Sequence, residues 1–258
     1  MLKAILNTAV GDGLIRRNPC RIKGAAQEKS PERPTLTIQQ VYAIAEAVDA
    51  QYRALILLAM FTSLRWGELA ALRSGDVDLG ARTVRVVRQL TEVNGYGLVF
   101  GPPKSAAGKR VVPIPEVILP VLRWHLGRFG PTEPDGLIFT SSTGKPLRHS
   151  HFRQRVWLPA LKGAGLEGVH FHDLRHTGNM LAADAGASVR ELMDRMGHDS
   201  ARAALIYLHG SDARQQEIAD SLSRRAREEL KRGSGRQAGG TDRRRSGTQR
   251  ARNRNRAS

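Results

Sequence analysis

One stretch does most to predict the fold and points to a chemistry: Gly168 to Asp212, GVHFHDLRHTGNMLAADAGASVRELMDRMGHDSARAALIYLHGSD. It contains five of the eight histidines of the chain: His170, His172, His176, His198 and His209. Arg175 stands three residues after His172, His198 follows Arg175 by 23 residues, and a tyrosine, Tyr207, comes nine residues later. Arginine and histidine can bind phosphate oxygens, and a tyrosine oxygen can attack phosphorus. The spacing therefore indicates a site that handles phosphate.

A helix predicted from about 173 to 186 carries the first part of this pattern. At about 100° per residue, its small and apolar residues share one face: Leu174, Gly178, Leu181 and Ala185. The side chains of His172, Arg175 and His176 are predicted on roughly the opposite side. The free N–H groups at the start of a helix also favour a phosphate oxygen.

Two other interpretations of this helix stay open. The first is an ordinary exposed polar face. The second is a metal site, because His172 and His176 are four residues apart, although no carboxylate or cysteine is placed to complete it as zinc enzymes usually require.

The remaining two residues are ordinary when each is taken alone. His198 follows a predicted helix and Gly197, so we expect it on a loop, where most histidines are plain surface residues. Tyr207 lies among apolar residues, where a tyrosine is usually part of the core. The order and spacing of all four residues favour the phosphate site.

The charge of the chain indicates a polyanionic partner. The 258 residues carry a formal net charge of +17, with a pI of about 11.1. A basic tail on an unrelated domain could give the same total, but residues 224–258 account for +10 and the first 223 residues still carry +7. Because the body is basic without its tail, nucleic acid is the favoured partner.

Cysteine content and hydropathy indicate the compartment. Cys20 is the only cysteine, so the chain can form neither an internal disulfide nor a cysteine zinc site, which fits a reducing cytosol. The longest apolar run, Ala54 to Phe61, is too short to span a bilayer, and the first residues lack the order of a secretory signal. We expect a soluble, cytoplasmic protein with no membrane partner.

Hydrophobic periodicity predicts a mainly helical α+β chain with a small antiparallel sheet. After an amphipathic helix and its exit in residues 1–23, helices are predicted at about 38–49, 51–62, 66–73, 115–127, 149–163, 173–186, 188–196, 200–208 and 212–230. Strands are predicted at Arg82–Leu90, Gly97–Phe100, Arg110–Ile114 and Leu137–Phe139. Thr37 is the expected N-cap of its helix, with Gln40 completing a capping box, and Lys104 is expected at the tip or edge of a hairpin.

Five short boxes occur in order along the chain. They are Thr62–Leu69 (TSLRWGEL), Pro103-Lys104-Ser105 ahead of Lys109–Pro113, His172–Arg175, Met196–His198, and Tyr207 followed by Leu208-His209. In this order they resemble the tyrosine recombinase, or phage integrase, family, whose pattern is T-G-L-R-x-x-E-L, a hairpin lysine, H-x-x-R, L-G-H and a tyrosine nine residues on. The departures are Ser63 for glycine and Met196 for leucine, which concern local geometry more than chemistry. The similarity runs from about Thr35 to Leu222.

The resemblance implies a tyrosine-recombinase catalytic core that acts on double-stranded DNA of a mobile element without any cofactor or metal. The implied catalytic residues are Arg65, Lys104, His172, Arg175, His198 and Tyr207, with Glu68 and His176 in support. Tyr207 would form a 3′-phosphotyrosine bond and leave a free 5′-hydroxyl. His172 is the candidate base and Lys104 the candidate acid, while the arginines and His198 would donate to the phosphate oxygens.

The resemblance also implies a domain organisation and an assembly. Residues 1–23 resemble the last helix of the DNA-clamping domain that precedes the catalytic domain in the family. Residues 24–34 are then a linker, 35–230 the catalytic domain and 231–258 a disordered basic tail. The implied assembly is a homo-oligomer, a tetramer on paired sites, with the C-terminal helix exchanged in trans. Packing of that helix on its own chain is an equal alternative.

Three functions remain open on the sequence alone. The leading one is a site-specific recombinase or integrase. A type IB topoisomerase-like enzyme, which relaxes DNA, uses the same chemistry. A catalytically impaired DNA-binding remnant of an integrase would fit a chain that begins at the last helix of the clamping domain.

Overall fold

The computed structural model describes residues 2–20, 33–207, 219–224 and 226–227. Most of the predicted linker, the end of the last sequence box (Leu208-His209), most of the predicted C-terminal helix and the basic tail lie outside these residues.

The described chain is mainly helical, as predicted. Its helices are α1 (Leu2–Gly11), α2 (Ile38–Ala47), α3 (Ala50–Thr62), α4 (Trp66–Ala70), α5 (Leu119–Phe129), α6 (His149–Phe152), α7 (Leu158–Gly163), α8 (Phe171–Asp184), α9 (Val189–Met196) and α10 (Ala201–Leu205). A π-helical turn, Arg153–Trp157, joins α6 to α7, so the helix predicted at 149–163 is one helical segment with an irregular middle. Residues 219–224 and 226–227 are also helical.

The predicted capping box at the start of α2 is confirmed. The Thr37 hydroxyl accepts a hydrogen bond from the Gln40 amide at 3.1 Å, and Oε1 of Gln40 accepts one from the Thr37 amide at 2.8 Å. Two of the free N–H groups at this helix start are thereby satisfied.

The strands form two small antiparallel sheets in place of the single sheet that was predicted. Their bounds are β1 (Val77–Asp78), β2 (Thr83–Val86), β3 (Gln89–Val93), β4 (Gly97–Gly101) and β5 (Arg110–Pro113). One sheet has the order β1-β2-β5, and β3 and β4 form a separate hairpin.

Three strand predictions were wrong in detail. The strand predicted over Arg82–Leu90 is two strands in different sheets. At the break between them, Arg88 donates to the buried carboxylate of Asp76. Lys104 lies in the connection from β4 to β5, beyond the end of the hairpin. The Leu137–Phe139 segment makes only an isolated bridge from Leu137 to Arg73.

Helix α3 forms the centre of the core, and α8 lies directly against it. Nine of the thirteen residues of α3 are buried, so the helix is apolar on nearly all sides. At Gly178 of α8 the two backbones meet: a Cβ atom there would lie 1.9 Å from the carbonyl oxygen of Met60 in α3. This approach fixes the first turns of α8 beside the residues that follow α3.

Helix α1 is amphipathic, as predicted, but none of its residues is buried. Leu2 and Ile5 keep 63% and 57% of their surface exposed, so the described residues leave the apolar face of α1 uncovered. Within the described ranges, no helix combines the length and apolar character needed to cross a membrane.

Candidate active site

Arg65 stands at the turn between α3 and α4, where Glu68 holds it. The backbone N–H of Arg65 donates to Oε2 of Glu68 at 2.9 Å, and its Nη1 donates to Oε1 at 2.8 Å. Its Nη2 reaches the carbonyl oxygen of Gly197 at 3.3 Å. Glu68 is only 2% exposed, so Arg65 is tied from one side to a buried carboxylate and from the other to the turn before His198.

The serine that replaces the usual glycine of the first box has a structural role. Ser63 ends α3 in the left-handed conformation, with φ of 54°, which costs less for glycine than for a residue with a Cβ atom. Its carbonyl accepts a hydrogen bond from Arg175, and its hydroxyl accepts one from Nε of Arg195 at 3.2 Å. Ser63 therefore offsets its backbone strain with a hydrogen bond that glycine could not form.

Arg175 is buried, which counts against the alternative of an ordinary exposed polar face at this residue. It is 3% exposed, because the first turns of α8 are enclosed by the end of α3 and by α9. Its guanidinium donates to the carbonyl of Ser63, to the carbonyl of Met196 at 2.8 Å, and to Nε2 of His198 at 3.2 Å. Burial and the charge of Arg65 lower its pKa to about 9, which leaves it protonated at neutral pH.

His198 lies on a loop after α9, as predicted, and is half-buried. A guanidinium can only donate, so Nε2 of His198 accepts from Arg175 and the ring proton sits on Nδ1. Desolvation, then the charges of Arg175 and Arg65, lower the pKa of His198 to about 4. The imidazole is therefore neutral at pH 7.

His172 keeps an exposed face at the start of α8. The pKa of His172 is lowered to about 4. Partial desolvation is the largest cause, and the charges of Arg175 and Arg33 are the next two. A neutral imidazole at pH 7 can accept a proton. The alternative of a metal site on His172 and His176 gains no support, since the described residues include no cluster of three or more metal-binding side chains.

Tyr207 lies in the turn after α10, so the helix predicted at 200–208 was too long by its last turn. The Tyr207 amide donates to the carbonyl of Ala204, three residues earlier, at 3.1 Å. This turn is tighter than that of an α-helix, in which the bond spans four residues. The half-buried side chain packs against a small apolar cluster between α8, α9 and α10. Its ring centre is 5.3 Å from that of His176. Tyr207 is also near enough to Arg175 to influence the pKa of that guanidinium.

Lys104 is exposed, and no described hydrogen bond ties it to the other site residues. Its loop nevertheless reaches the site. A Cβ atom on Gly197 would lie 3.0 Å from the carbonyl oxygen of Ala107 and 3.1 Å from Cα of Gly108. The connection that carries Lys104 thus packs against the turn that carries His198.

Two half-buried arginines of the site were missed from the sequence. Arg110 donates to both oxygens of Glu68, at 3.1 and 2.9 Å. Arg195 donates to the carbonyl of Phe61 and to the hydroxyl of Ser63. Both residues lie in or beside the quoted boxes, but a half-buried strand and an amphipathic helix usually carry arginine on the solvent side, so periodicity predicted no contact.

The charges in the site are unbalanced. Around the carboxylate of Glu68 the structure places the guanidiniums of Arg65 and Arg110, with Arg175 close enough for its pKa to respond to Glu68. Burial raises the pKa of Glu68, but its hydrogen bonds with Arg110 and Arg65 outweigh this and lower it overall. The surplus of positive charge suits an anion such as a phosphodiester.

Comparison with known proteins shows the family. Residues 34–214 match the profile described as the Phage integrase family. The chain belongs to the phage integrase family. A putative prophage phiRv2 integrase of Mycobacterium tuberculosis H37Rv is 40% identical over 230 residues, covering 88% of this chain and 60% of that protein. The integrase of Mycobacterium phage L5 is 35% identical, covering 88% of this chain and 62% of its own length. The chain thus spans about 60% of these relatives.

Solved structures show the fold that this phage integrase family member shares. The Tn1549 transposon integrase in complex with transposon right end DNA has a TM-score of 0.73 at 23% identity, covering 86% of this chain and 76% of that chain. The XerA recombinase has a TM-score of 0.56 at 22% identity, covering 86% and 73%. The predicted tyrosine-recombinase core is therefore confirmed as a fold.

Proposed function

We propose that this chain is the catalytic part of a site-specific recombinase, or integrase, that cuts and rejoins double-stranded DNA through a 3′-phosphotyrosine bond. The observation that carries the proposal is the convergence of two guanidiniums from distant segments. Arg65 and Arg175 bind the carbonyls of the consecutive residues Gly197 and Met196, directly before His198. Two forked donors side by side suit the nonbridging oxygens of one phosphate.

The proposed cleavage step forms one bond and breaks one. The Tyr207 oxygen attacks phosphorus, the bond from phosphorus to the 5′-oxygen breaks, and the negative charge on the nonbridging oxygens is stabilised by Arg65 and Arg175. A phenol ordinarily keeps its proton at neutral pH, so a base is needed, and His172 is neutral there. Lys104 supplies a proton to the departing 5′-oxygen.

The covalent bond conserves the energy of the phosphodiester. A 5′-hydroxyl from another strand can attack phosphorus in the reverse direction, displace Tyr207 and return a proton to Lys104. The product is a new strand junction, so the reaction is strand exchange and not hydrolysis. No step requires a metal or a nucleotide.

Two further residues support the site in this proposal. Glu68 holds Arg65 through two hydrogen bonds. His176 packs against the ring of Tyr207 and limits its orientation.

The DNA partner is supported by an exposed cation on the helical segment that packs against Trp66, the residue after Arg65. The ring of His149 at the start of α6 packs 5.1 Å from that of Trp66, the residue after Arg65. Arg153, in the π-helical turn that follows α6, is exposed, and its charge adds to desolvation in lowering the pKa of His149. We propose that the duplex runs across this side of the molecule, and that residues 1–23 end a clamping domain on its other side.

The assembly that we propose is a homo-oligomer on DNA, a tetramer on paired sites, in which the C-terminal helix docks in trans. An apolar groove of about 750 Å³ lies between α3, α8, α9 and β5, and its wall includes Phe61, Val111 and Leu181. The helical residues 219–224 carry Leu222, which is 63% exposed on its own chain. A neighbouring copy could bury both surfaces. The cytoplasm is the compartment in which such an enzyme meets DNA.

The test is covalent trapping. A pool of nicked duplexes of random sequence is incubated with the chain, and protein–DNA adducts that survive denaturation are collected and sequenced. We expect adducts with an enriched sequence, and none with Tyr207→Phe. Sequence-specific binding without any adduct would favour the DNA-binding remnant instead, and supercoil relaxation by a monomer would favour a topoisomerase.

A further inference from the structure

Arg110, the first residue of β5, is a second arginine on Glu68, and only 6% of its side chain is exposed. Its Nη2 donates to Oε2 of Glu68 at 2.9 Å and its Nη1 to Oε1 at 3.1 Å. Nη1 also donates to the carbonyl of Gly108 at 3.0 Å, and Nε to the carbonyl of Arg195 at 2.8 Å. One guanidinium therefore joins helix α4, the connection from β4 to β5, and the end of α9.

Each of these three segments carries one residue of the proposed site. Helix α4 begins directly after Arg65, the β4–β5 connection contains Lys104, and α9 runs into the turn before His198. The packing where they meet is tight, because a Cβ atom on Gly197 would lie 2.9 Å from Nη1 of Arg110. A displacement of this guanidinium would move all three segments relative to one another.

Only an arginine can make this set of contacts. The planar fork of Nη1 and Nη2 matches both oxygens of Glu68, while Nε points to a third segment. A lysine ammonium is a single point of positive charge and cannot reach the same four acceptors.

We propose that Arg110 is a positioning residue of this site. It fixes Glu68 so that Arg65 is held towards the phosphate, and it sets the spacing between the Lys104 loop and the His198 turn. This inference rests on the proposed function, and it concerns the rate of DNA cleavage and not the affinity for DNA.

The competing explanation is a buried ion pair that only stabilises the fold. The chain contains a matched example. Asp76 is 6% exposed, accepts from Arg88, and also accepts from the backbone N–H of Arg73 at 3.1 Å. None of its described hydrogen bonds reaches the proposed site, so Arg88→Met is the control for the loss of an arginine from a buried carboxylate.

A dependence on pH separates positioning from stability. Glu68, in α4, faces Arg65 at the turn before that helix and Arg110 in β5. The charge of Arg175 in α8 and the neutral imidazole of His198 after α9 lie nearby. Burial alone raises the pKa of Glu68, and Arg110 is the first influence that lowers it. Without Arg110, Glu68 should take up a proton at higher pH than in the unaltered chain, and a protonated Glu68 no longer anchors Arg65.

The experiment measures the rate of adduct formation on a nicked duplex that the unaltered chain has selected from the random pool, together with duplex affinity and melting temperature. Arg110→Met should lower the rate at pH 7 by about 10- to 100-fold, the loss expected from a small misplacement of reacting groups. The duplex affinity of Arg110→Met should stay within about 3-fold of that of the unaltered chain, and its cleavage rate should recover as the pH is raised. Arg110→Lys should also cleave slowly. Arg88→Met should melt earlier and cleave at the rate of the unaltered chain.

Coupling to Glu68 completes the test. In a Glu68→Gln chain, Arg110→Met should lower the rate of adduct formation by less than about a further 3-fold, because both changes act on one unit. It should also leave the dependence of that rate on pH unchanged. Equal losses of rate in Arg110→Met and Arg88→Met, or fully additive effects with Glu68→Gln, would overturn the inference. If Arg110→Met does not fold, Arg110→Lys cleaving at the unaltered rate would overturn it. An unaltered chain that selects no adduct contradicts the proposed function before any variant is compared.

Discussion

Nη2 of Arg175 lies 3.2 Å from Nε2 of His198, and the direction of this hydrogen bond determines the protonation of the histidine. Since the guanidinium can only donate, Nε2 is an acceptor and His198 is neutral in the DNA-free chain. A phosphate bound beside both residues would favour the charged imidazole. DNA binding and the titration of His198 are therefore linked.

The lowered pKa values of His172 and His198 predict a loss of stability in mild acid. His172 and His198 have pKa values of about 4 when folded, against about 6.5 for an ordinary histidine. Between these values the unfolded chain binds more protons than the folded one, so their contribution to stability is complete above pH 6.5 and falls as the pH drops towards 4. Denaturant unfolding measured from pH 7.5 to 4.5 should show this decline. His198→Asn should reduce its slope, and an unchanged slope would contradict the assigned pKa.

The same linkage predicts proton uptake on DNA binding. The negative charge of a bound phosphodiester should raise the pKa of both histidines, so the affinity for the selected duplex should increase as the pH falls from 7.5 to 6. Titration by NMR of the histidine side chains, with and without duplex, measures the shift directly. Histidine pKa values that do not change on DNA binding would place the phosphate elsewhere.

Replacing Arg175 by lysine tests the buried guanidinium. Lysine keeps the charge but cannot donate hydrogen bonds to the carbonyls of Ser63 and Met196 and to His198 at the same time. We expect the cleavage rate to fall by about 10²- to 10³-fold, as for the loss of one donor to a developing oxyanion, and the free energy of unfolding to fall by about 1–3 kcal/mol from the acceptors left unpaired. Adduct formation and denaturant unfolding measure the two effects.

Gly178→Ala tests the contact between α3 and α8. The added methyl group would lie 1.9 Å from the carbonyl oxygen of Met60, so the helices must separate, at a cost of about 1–3 kcal/mol. Gly127→Ala in α5 is the control, because a Cβ atom there meets nothing within 4 Å, and it should stabilise the chain by about 0.5–1 kcal/mol. Equal melting temperatures for the two variants would contradict the packing.

Ser63 predicts an order of stability among its variants. Ser63→Ala keeps the left-handed backbone but loses the hydrogen bond from Arg195. Ser63→Gly loses the same bond but relieves the strain, which for a residue with a Cβ atom is roughly 1 kcal/mol. Glycine should therefore be more stable than alanine by about that amount in denaturant unfolding. The reverse order would mean that the turn is not strained.

The chemical identity of the site could be predicted from the sequence, because phosphate chemistry requires particular side chains in a particular order. His172, Arg175, His198 and Tyr207 were chosen on residue type and spacing, and Arg65 on the family resemblance. The structure brings the segments that carry them together. Their catalytic roles remain predictions that the experiments proposed above test.

The supporting contacts could not be predicted, because they depend on long-range packing. Strand β2 pairs with β5 and skips the β3–β4 hairpin, which no local pattern reveals, so Lys104 was expected at a hairpin. For Arg175 an exposed polar face stayed open as an alternative, because helical periodicity does not distinguish a buried guanidinium from a solvated one. Arg110 and Arg195 were missed for the same reason.

The most direct test of the central claim locates the bond between protein and DNA. The adduct formed with the selected duplex is digested with trypsin, and the DNA-linked peptide is identified by mass spectrometry. Cleavage after Arg202 and Arg214 releases residues 203–214, in which Tyr207 is the only tyrosine. We expect this peptide alone to carry the nucleotide, joined through the Tyr207 oxygen to a 3′-phosphate. Attachment to another residue, or an adduct that persists in Tyr207→Phe, would contradict it.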